Sequence, residues 1–188
     1  MKTLLSILFL VAISFGNGEG EKAETSTSKV IAYESFATPA AFGFGHNYTL
    51  DADKDGKADF LFTTVFETEN GDIHTKYMVN AIGDNEVLVI DNEAAIADEG
   101  IALDSFGNIS WKNSPASILE QVAVKDGNEW KGLWSGDRDQ YIGIKLVKEG
   151  KSYTGWVKVF IDQETAEAQV QGYAINRVAD SAINAGEI

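Results

Sequence analysis

The chain reads as all-β: an antiparallel β-sandwich or jelly-roll-like domain with few or no helices in the mature protein. Three observations predict this. Short runs of β-branched and aromatic residues recur throughout, with Gly, Asn and Asp clusters between them. No stretch sustains an apolar period near 3.6, so no long amphipathic helix is expected. Self-similarity at the 20–50-residue periods of solenoids and propellers is also missing.

The first residues follow a different logic. Met1-Lys2 precedes an apolar run from Leu4 to Ile13, followed by small residues at Ser14, Gly16 and Gly18. One positive charge and a short apolar core are the layout of a secretory signal peptide, expected over residues 1–18. The run is too short for an ordinary spanning helix; an uncleaved anchor is the alternative. Residues 19–28 are rich in Gly, Glu, Ser and Thr and read as a flexible lead-in. A single sandwich domain over 29–188 follows, about the size of one full core.

Lys29–Phe36 is the first expected strand, and Thr38–His46, with Pro39 and Gly43-Phe44-Gly45, reads as a loop. Tyr48–Leu50 leads into an acidic stretch, and Phe60–Glu67 leaves it as a strand. Glu69-Asn70-Gly71-Asp72 is a hairpin signal joining that strand to Ile73–Val79. Glu86–Ile90 is a further strand. Asp91–Glu99 fits either a short helical turn or an acidic loop. Asn108–Trp111 is a short strand, and Asn113-Ser114-Pro115 fits the cap of a one-turn helix over Ser117–Gln121. Asp126–Asp139 is turn-rich, with Trp130 and Trp134 anchoring it.

The C-terminal third carries the clearest pattern. Gln140–Lys148 and Lys151–Ile161 flank Glu149-Gly150, a turn pair with glycine second. That turn sets Ile142 opposite Val157, Ile144 opposite Gly155 and Leu146 opposite Tyr153 on a core-facing side. The outer side pairs Tyr141 with Lys158, Gly143 with Trp156 and Lys145 with Thr154. Trp156 is expected to lie across Gly143 and cover the space that the glycine leaves. Asp162–Thr165 then turns into Glu167–Arg177, completing a meander.

One segment points to a specific chemistry. In Asp51-Ala52-Asp53-Lys54-Asp55-Gly56-Lys57-Ala58-Asp59, three aspartates alternate, a glycine follows, and a fourth aspartate closes the run. Calcium takes roughly six to eight oxygen ligands, and alternate carboxylates converge only if the chain turns sharply, which Gly56 allows. The expected ligands are Asp51, Asp53, Asp55, the Lys57 carbonyl and Asp59, the latter directly or through water. They match the first five ligand positions of an EF-hand loop, but the bidentate Glu of the twelfth position is replaced by Phe62. A strand follows instead of a helix. The stretch therefore resembles the DxDxDGxxD loops between β-strands in other calcium-binding families, such as integrin-type propeller repeats. The competing reading is a solvated acidic turn.

Charge and composition narrow the role. Against 15 Lys and Arg stand 29 Asp and Glu, a formal net charge of −14. Loss of a leader ending near Gly16 removes only Lys2 and leaves the chain more acidic. Such a surface repels nucleic acid and anionic membrane, and no second apolar run could span a bilayer. The absence of Cys removes disulfides, thiol catalysis and thiolate metal sites. The expectation is a secreted protein, extracellular or periplasmic, monomeric and in contact with divalent cations.

Other sites carry weaker signals. His46 sits in a glycine-rich loop and His74 on a strand, ordinary positions for structural histidines. Glu93, Asp98, Glu99 and Glu120 supply carboxylates for glycoside hydrolysis, but in so acidic a chain a solvated face is the default. There is no G-x-S-x-G elbow. Trp156, Tyr141 and Lys158 form the best candidate for a sugar-stacking platform, although aromatic residues more often fill cores.

Tyr141-Ile142-Gly143-Ile144, Tyr153-Thr154-Gly155-Trp156-Val157 and Gly172-Tyr173-Ala174-Ile175 together resemble a group of uncharacterised secreted β-rich proteins from environmental bacteria. In that group a Y-(I/L)-G-(F/I) strand pairs with a Y-x-G-W-V strand, and an acidic calcium-type loop lies nearer the N-terminus. The resemblance covers the C-terminal third and the acidic loop, and leaves the middle unmatched. It implies export and a β fold, and brings no catalytic activity. The expected function is therefore a non-catalytic protein with structural Ca²⁺ that binds or adheres to an extracellular glycan or surface protein. The alternatives are a carbohydrate-binding module with an aromatic platform and a hydrolase whose site is not visible in sequence.

Overall fold

A computed structural model describes residues 30–104, 108–136 and 140–188. The expected signal peptide and lead-in lie outside the described residues. Among the described residues thirteen strands follow one another: β1 (Ile31–Phe42), β2 (Tyr48–Leu50), β3 (Phe60–Glu69), β4 (Asp72–Ala81), β5 (Glu86–Ile90), β6 (Glu93–Ala94), β7 (Ile96–Ala97), β8 (Ser110–Lys112), β9 (Ala116–Val124), β10 (Gly127–Lys131), β11 (Gln140–Lys148), β12 (Lys151–Asp162) and β13 (Glu167–Asn176). The all-β class is as expected. Among the described residues no helix is long and apolar enough to cross a membrane.

Hydrogen bonding draws one continuous path, β1-β13-β12-β11-β5-β6-β9-β4-β3-β2, with β10 added to β9, β7 to β11 and β8 to β5. Every pairing is antiparallel except β6 with β9. The step from β6 to β9 rests on one residue pair, Glu93 with Ser117, and the sheet curls until it is nearly closed, like a barrel. Its two ends meet through side chains: Phe36 packs edge-on to Tyr48 and Phe42 against Phe62, with centroids 6.1 and 5.5 Å apart.

Turn chemistry sets the hairpins. Asn70 and Gly71 both adopt positive φ (53° and 93°), as do Glu149 and Gly150 (51° and 74°). Two successive left-handed residues give the turn whose twist matches a two-residue hairpin. The β11–β12 register is the expected one, with Ile142 opposite Val157, Ile144 opposite Gly155 and Tyr141 opposite Lys158.

The barrel interior takes alternate residues of these strands, including Phe42, Leu50, Phe60, Phe62, Val79, Ile118, Ile142, Ile144, Val157 and Val170. A second cluster, containing Leu88, Leu103, Tyr141, Trp156 and Ile183, lies on the opposite face of β5, β11, β12 and β13. The C-terminal segment closes it: Ala185 N–H donates to Ile101 at 2.9 Å, and Gly100 N–H donates to Ala185 at 2.8 Å. The outer side of the β11–β12 hairpin is therefore core, because the 98–103 and 182–187 segments strap across it.

Several expectations are corrected. Residues 117–121 form no helical turn: Ala116–Val124 is a strand, with Ala116, Ile118, Leu119 and Val122 buried. The stretch 91–99 contains β6 and β7, and the turn-rich 126–139 stretch contains β10. The first strand runs past the expected loop start to Phe42. Its pairing with β13 breaks between Ser35 and Ala40, which leaves Pro39 in a bulge where no ladder N–H is required. Gly143 stands opposite Trp156 as expected, and the atoms nearest to an added Cβ there come from Leu88 and Trp111, at 2.9 and 3.3 Å.

Candidate metal centre

The acidic stretch is the β2–β3 connection. Leu50 faces Phe60 across the ladder, and Asp59 N–H donates to the Leu50 carbonyl at 2.8 Å, pinching residues 51–58 into a closed loop. Inside it the aspartates organise backbone. The Asp51 carboxylate accepts from Asp55 N–H at 3.1 Å and Gly56 N–H at 2.8 Å. Asp53 accepts from Asp55 N–H at 3.1 Å, and Asp55 accepts from Lys57 N–H at 2.9 Å. Lys54 and Gly56 take positive φ, 63° and 88°, as the sharp bend requires.

These contacts aim carboxylates at one point. One oxygen from each of Asp51, Asp53 and Asp59 lies within 4.8 Å of the other two. That is about the span across a calcium shell with bonds of about 2.3–2.6 Å, so the donor set fits a hard cation. Asp55 falls outside this trio and accepts from Lys148 Nζ at 3.0 Å. Lys57 also contributes its N–H to the loop, at 2.9 Å from Asp55.

Asp59 is the buried member. Its Oδ2 accepts from Ala52 N–H at 2.8 Å and its Oδ1 from Asn85 Nδ2 at 3.1 Å. Burial raises its pKa; the two hydrogen bonds oppose that, and the neighbouring Asp51 and Asp55 charges add to it. Asn85, itself buried, accepts from Val147 N–H at 2.9 Å through Oδ1. It thus links the loop to β11. Replacing Asp59 by Ala strands a buried N–H, so we expect about 1–3 kcal/mol of destabilisation even in chelator. Asp53→Asn, at an exposed position, should leave stability in chelator nearly unchanged. Urea unfolding of both variants in EDTA checks this contrast.

Two lysines clamp the loop across the end of the barrel. Lys148, at the end of β11, pairs with both Asp53 and Asp55. Lys54, within the loop, pairs with Glu34 on β1. The Lys54 ammonium is the main cause of a lowered Glu34 pKa, and the Tyr173 hydroxyl, which donates to Glu34 at 3.0 Å, helps. A carboxylate with a lowered folded-state pKa stabilises the fold above its unfolded pKa. That contribution is lost as pH falls through the folded value. Because this pair is largely exposed, the effect is small. Glu34→Gln should flatten the acid limb of the melting-temperature curve and leave the neutral region almost unchanged.

The structure places the other candidates as follows. Trp156 and Tyr141 are buried, 3% and 9% exposed, and pack edge-to-face at 5.1 Å. Trp156 Nε1 donates to the Glu187 carbonyl at 3.1 Å, and Lys158 stacks over Tyr141 at 5.9 Å. This corrects the expected exposure of the platform, because the strap over the hairpin buries its aromatics; Tyr141, Trp156 and Lys158 nevertheless line one cleft of about 250 Å³ with Tyr33 and Glu99. His46 Nδ1 lies 3.2 Å from the Phe44 carbonyl. His74 Nδ1 lies 2.6 Å from Glu120. Glu93 accepts from Leu133 N–H at 2.8 Å. Glu93 and Glu120 share a shallow cleft with Glu67, Lys76 and Lys131, whereas Asp98 and Glu99 are exposed on the strap side.

Asn85, Lys148 and Glu34 were missed by the sequence reading. They lie 26, 93 and 20 positions from their loop partners Asp59, Asp55 and Lys54, and no local pattern links them. The chain matches no family model, no curated protein and no solved structure.

Proposed function

We propose that the protein is an exported, non-catalytic binding or adhesion protein whose 51–59 loop holds one structural Ca²⁺. The observation that carries the ion assignment is the convergence of Asp51, Asp53 and Asp59 oxygens within 4.8 Å of one another. Water and the remaining loop oxygens complete the shell. The ion neutralises a cluster in an already acidic chain and fixes the connection between β2 and β3 across the barrel end, which is a structural role. Export rests on the charge and apolar pattern of residues 1–18. The carbohydrate-platform alternative loses support with the burial of Trp156 and Tyr141.

Isothermal titration of calcium into the chelator-treated chain tests the ion assignment. One equivalent should bind in the native protein, and binding should be lost in the Asp51→Asn/Asp53→Asn double variant. An absence of heat, together with no terbium luminescence sensitised by the protein's aromatic residues, would refute it.

A further inference from the structure

Beside the acidic loop, at the same end of the barrel, lies a cavity of about 220 Å³. Its floor is apolar: Leu146, Tyr153 and Ile175. Its rim carries Lys148, Arg177 and Asp53. Leu146 and Ile175 belong to the interior cluster, and Tyr153 packs against it, so the floor is the barrel core itself. A larger cavity of about 500 Å³ adjoins it, sharing Asp53, Ile175 and Arg177.

Arg177 is the unusual member. The chain has two arginines among 188 residues. Its backbone N–H donates to Val30, but its guanidinium has no hydrogen-bond or ion-pair partner among the described residues. In a chain of net charge −14 with 29 carboxylates, an arginine without one stands out. Lys148 is already paired with Asp53 and Asp55, so Arg177 is the cation that the rim leaves uncommitted, among the described residues, over the apolar floor.

We propose that this cavity binds a small organic carboxylate with an apolar body, its carboxylate held by Arg177 and its body against Leu146, Tyr153 and Ile175. A planar guanidinium offers a carboxylate two parallel hydrogen bonds. A mostly apolar pocket with a few placed polar groups is the ordinary form of a small-molecule site. The site goes beyond the calcium assignment and shares only Asp53 with it.

The test uses the full chain in EDTA, so that calcium plays no part and failure of the ion assignment leaves this result unaffected. Phenylacetate is titrated against its neutral counterpart phenylacetamide and followed by amide NMR shifts. Saturable phenylacetate shifts around Ile175 and Tyr153 are expected. The amide should bind roughly tenfold more weakly or not at all, because a charge-assisted bond is lost. Arg177→Gln, at an exposed position, should keep the native melting temperature and weaken phenylacetate by roughly tenfold. Failure to saturate at millimolar phenylacetate, equal binding of the amide, or an Arg177→Gln variant that binds as the native chain does would each overturn the proposal.

Discussion

Calcium is expected to raise the melting temperature of the native chain by roughly 5–10 °C at a hundredfold excess over Kd. A ligand bound only by the folded state adds RT ln(1 + [L]/Kd), about 2.7 kcal/mol at that excess, and each kcal/mol is worth roughly 2–4 °C in a domain of this size. The charge arrangement gives the reason for selective binding to the folded state. Only the fold brings Asp59, buried just before β3, to the Asp51 and Asp53 oxygens. Magnesium should do less, since it demands stricter octahedral geometry and gives up its water reluctantly.

The same site contains its own competitor. Lys148 reaches Asp53 and Asp55 from β11, so part of the work a cation would do is already done by a tethered ammonium. Lys148→Met keeps the aliphatic stem and removes the charge. Without calcium it should lower the melting temperature slightly, because the loop carboxylates then repel each other unscreened. With calcium it should reverse sign, giving a larger calcium-induced shift than the native chain. A purely solvated acidic turn predicts no calcium shift in either protein, and differential scanning calorimetry in calcium and in EDTA separates the outcomes.

What could be read from the sequence depended on how local its cause was. Asn70, Gly71 and Gly150 favour the positive φ that these turns need, and Glu149 follows its glycine to φ 51°, so both hairpins and the β11–β12 register follow from neighbouring residues. The loop was legible for the same reason: Asp51, Asp53 and Asp59 lie within nine residues. Ser117–Gln121 shows the opposite case. Asn113-Ser114-Pro115 favours a helix start locally. The strand prevails because β9 fills the place between β4 and β10 and buries Ile118, Leu119 and Val122 there. Trp156 shows a second kind of limit. Alternation put it correctly on the face opposite Val157, but whether that face meets water was decided by Ile183 and Ala185, some thirty residues away. Period-2 patterning assigns faces; it does not say which faces are covered.

Gly155→Ala is expected to be among the most damaging single-methyl additions in the chain. Gly155 lies on β12 between Ile144 of β11 and Ile175 of β13, in the interior of the sheet. A Cβ there would stand 2.3 Å from the Ala174 carbonyl oxygen and 2.4 Å from Ile175 Cδ1. The isoleucine end can swing aside, but the carbonyl belongs to the backbone of the neighbouring strand. Relief therefore requires β12 and β13 to separate. Overpacking a well-packed core costs typically about 1–3 kcal/mol, and a backbone clash belongs at the upper end. That is an expected loss of roughly 6–12 °C in melting temperature at about 3 kcal/mol. Gly56→Ala is the control: its added Cβ meets nothing within 4 Å, and its cost is only the strain of φ +88°. The two variants should also differ in calcium response. Gly155→Ala should lose stability equally with and without calcium, since the loop is intact. Gly56→Ala should lose the φ strain in both conditions and more in calcium, because its φ shapes the bend that gathers the carboxylates. Equal stability of Gly155→Ala and the native chain in urea unfolding would contradict the β12–β13 contact from which this prediction is drawn.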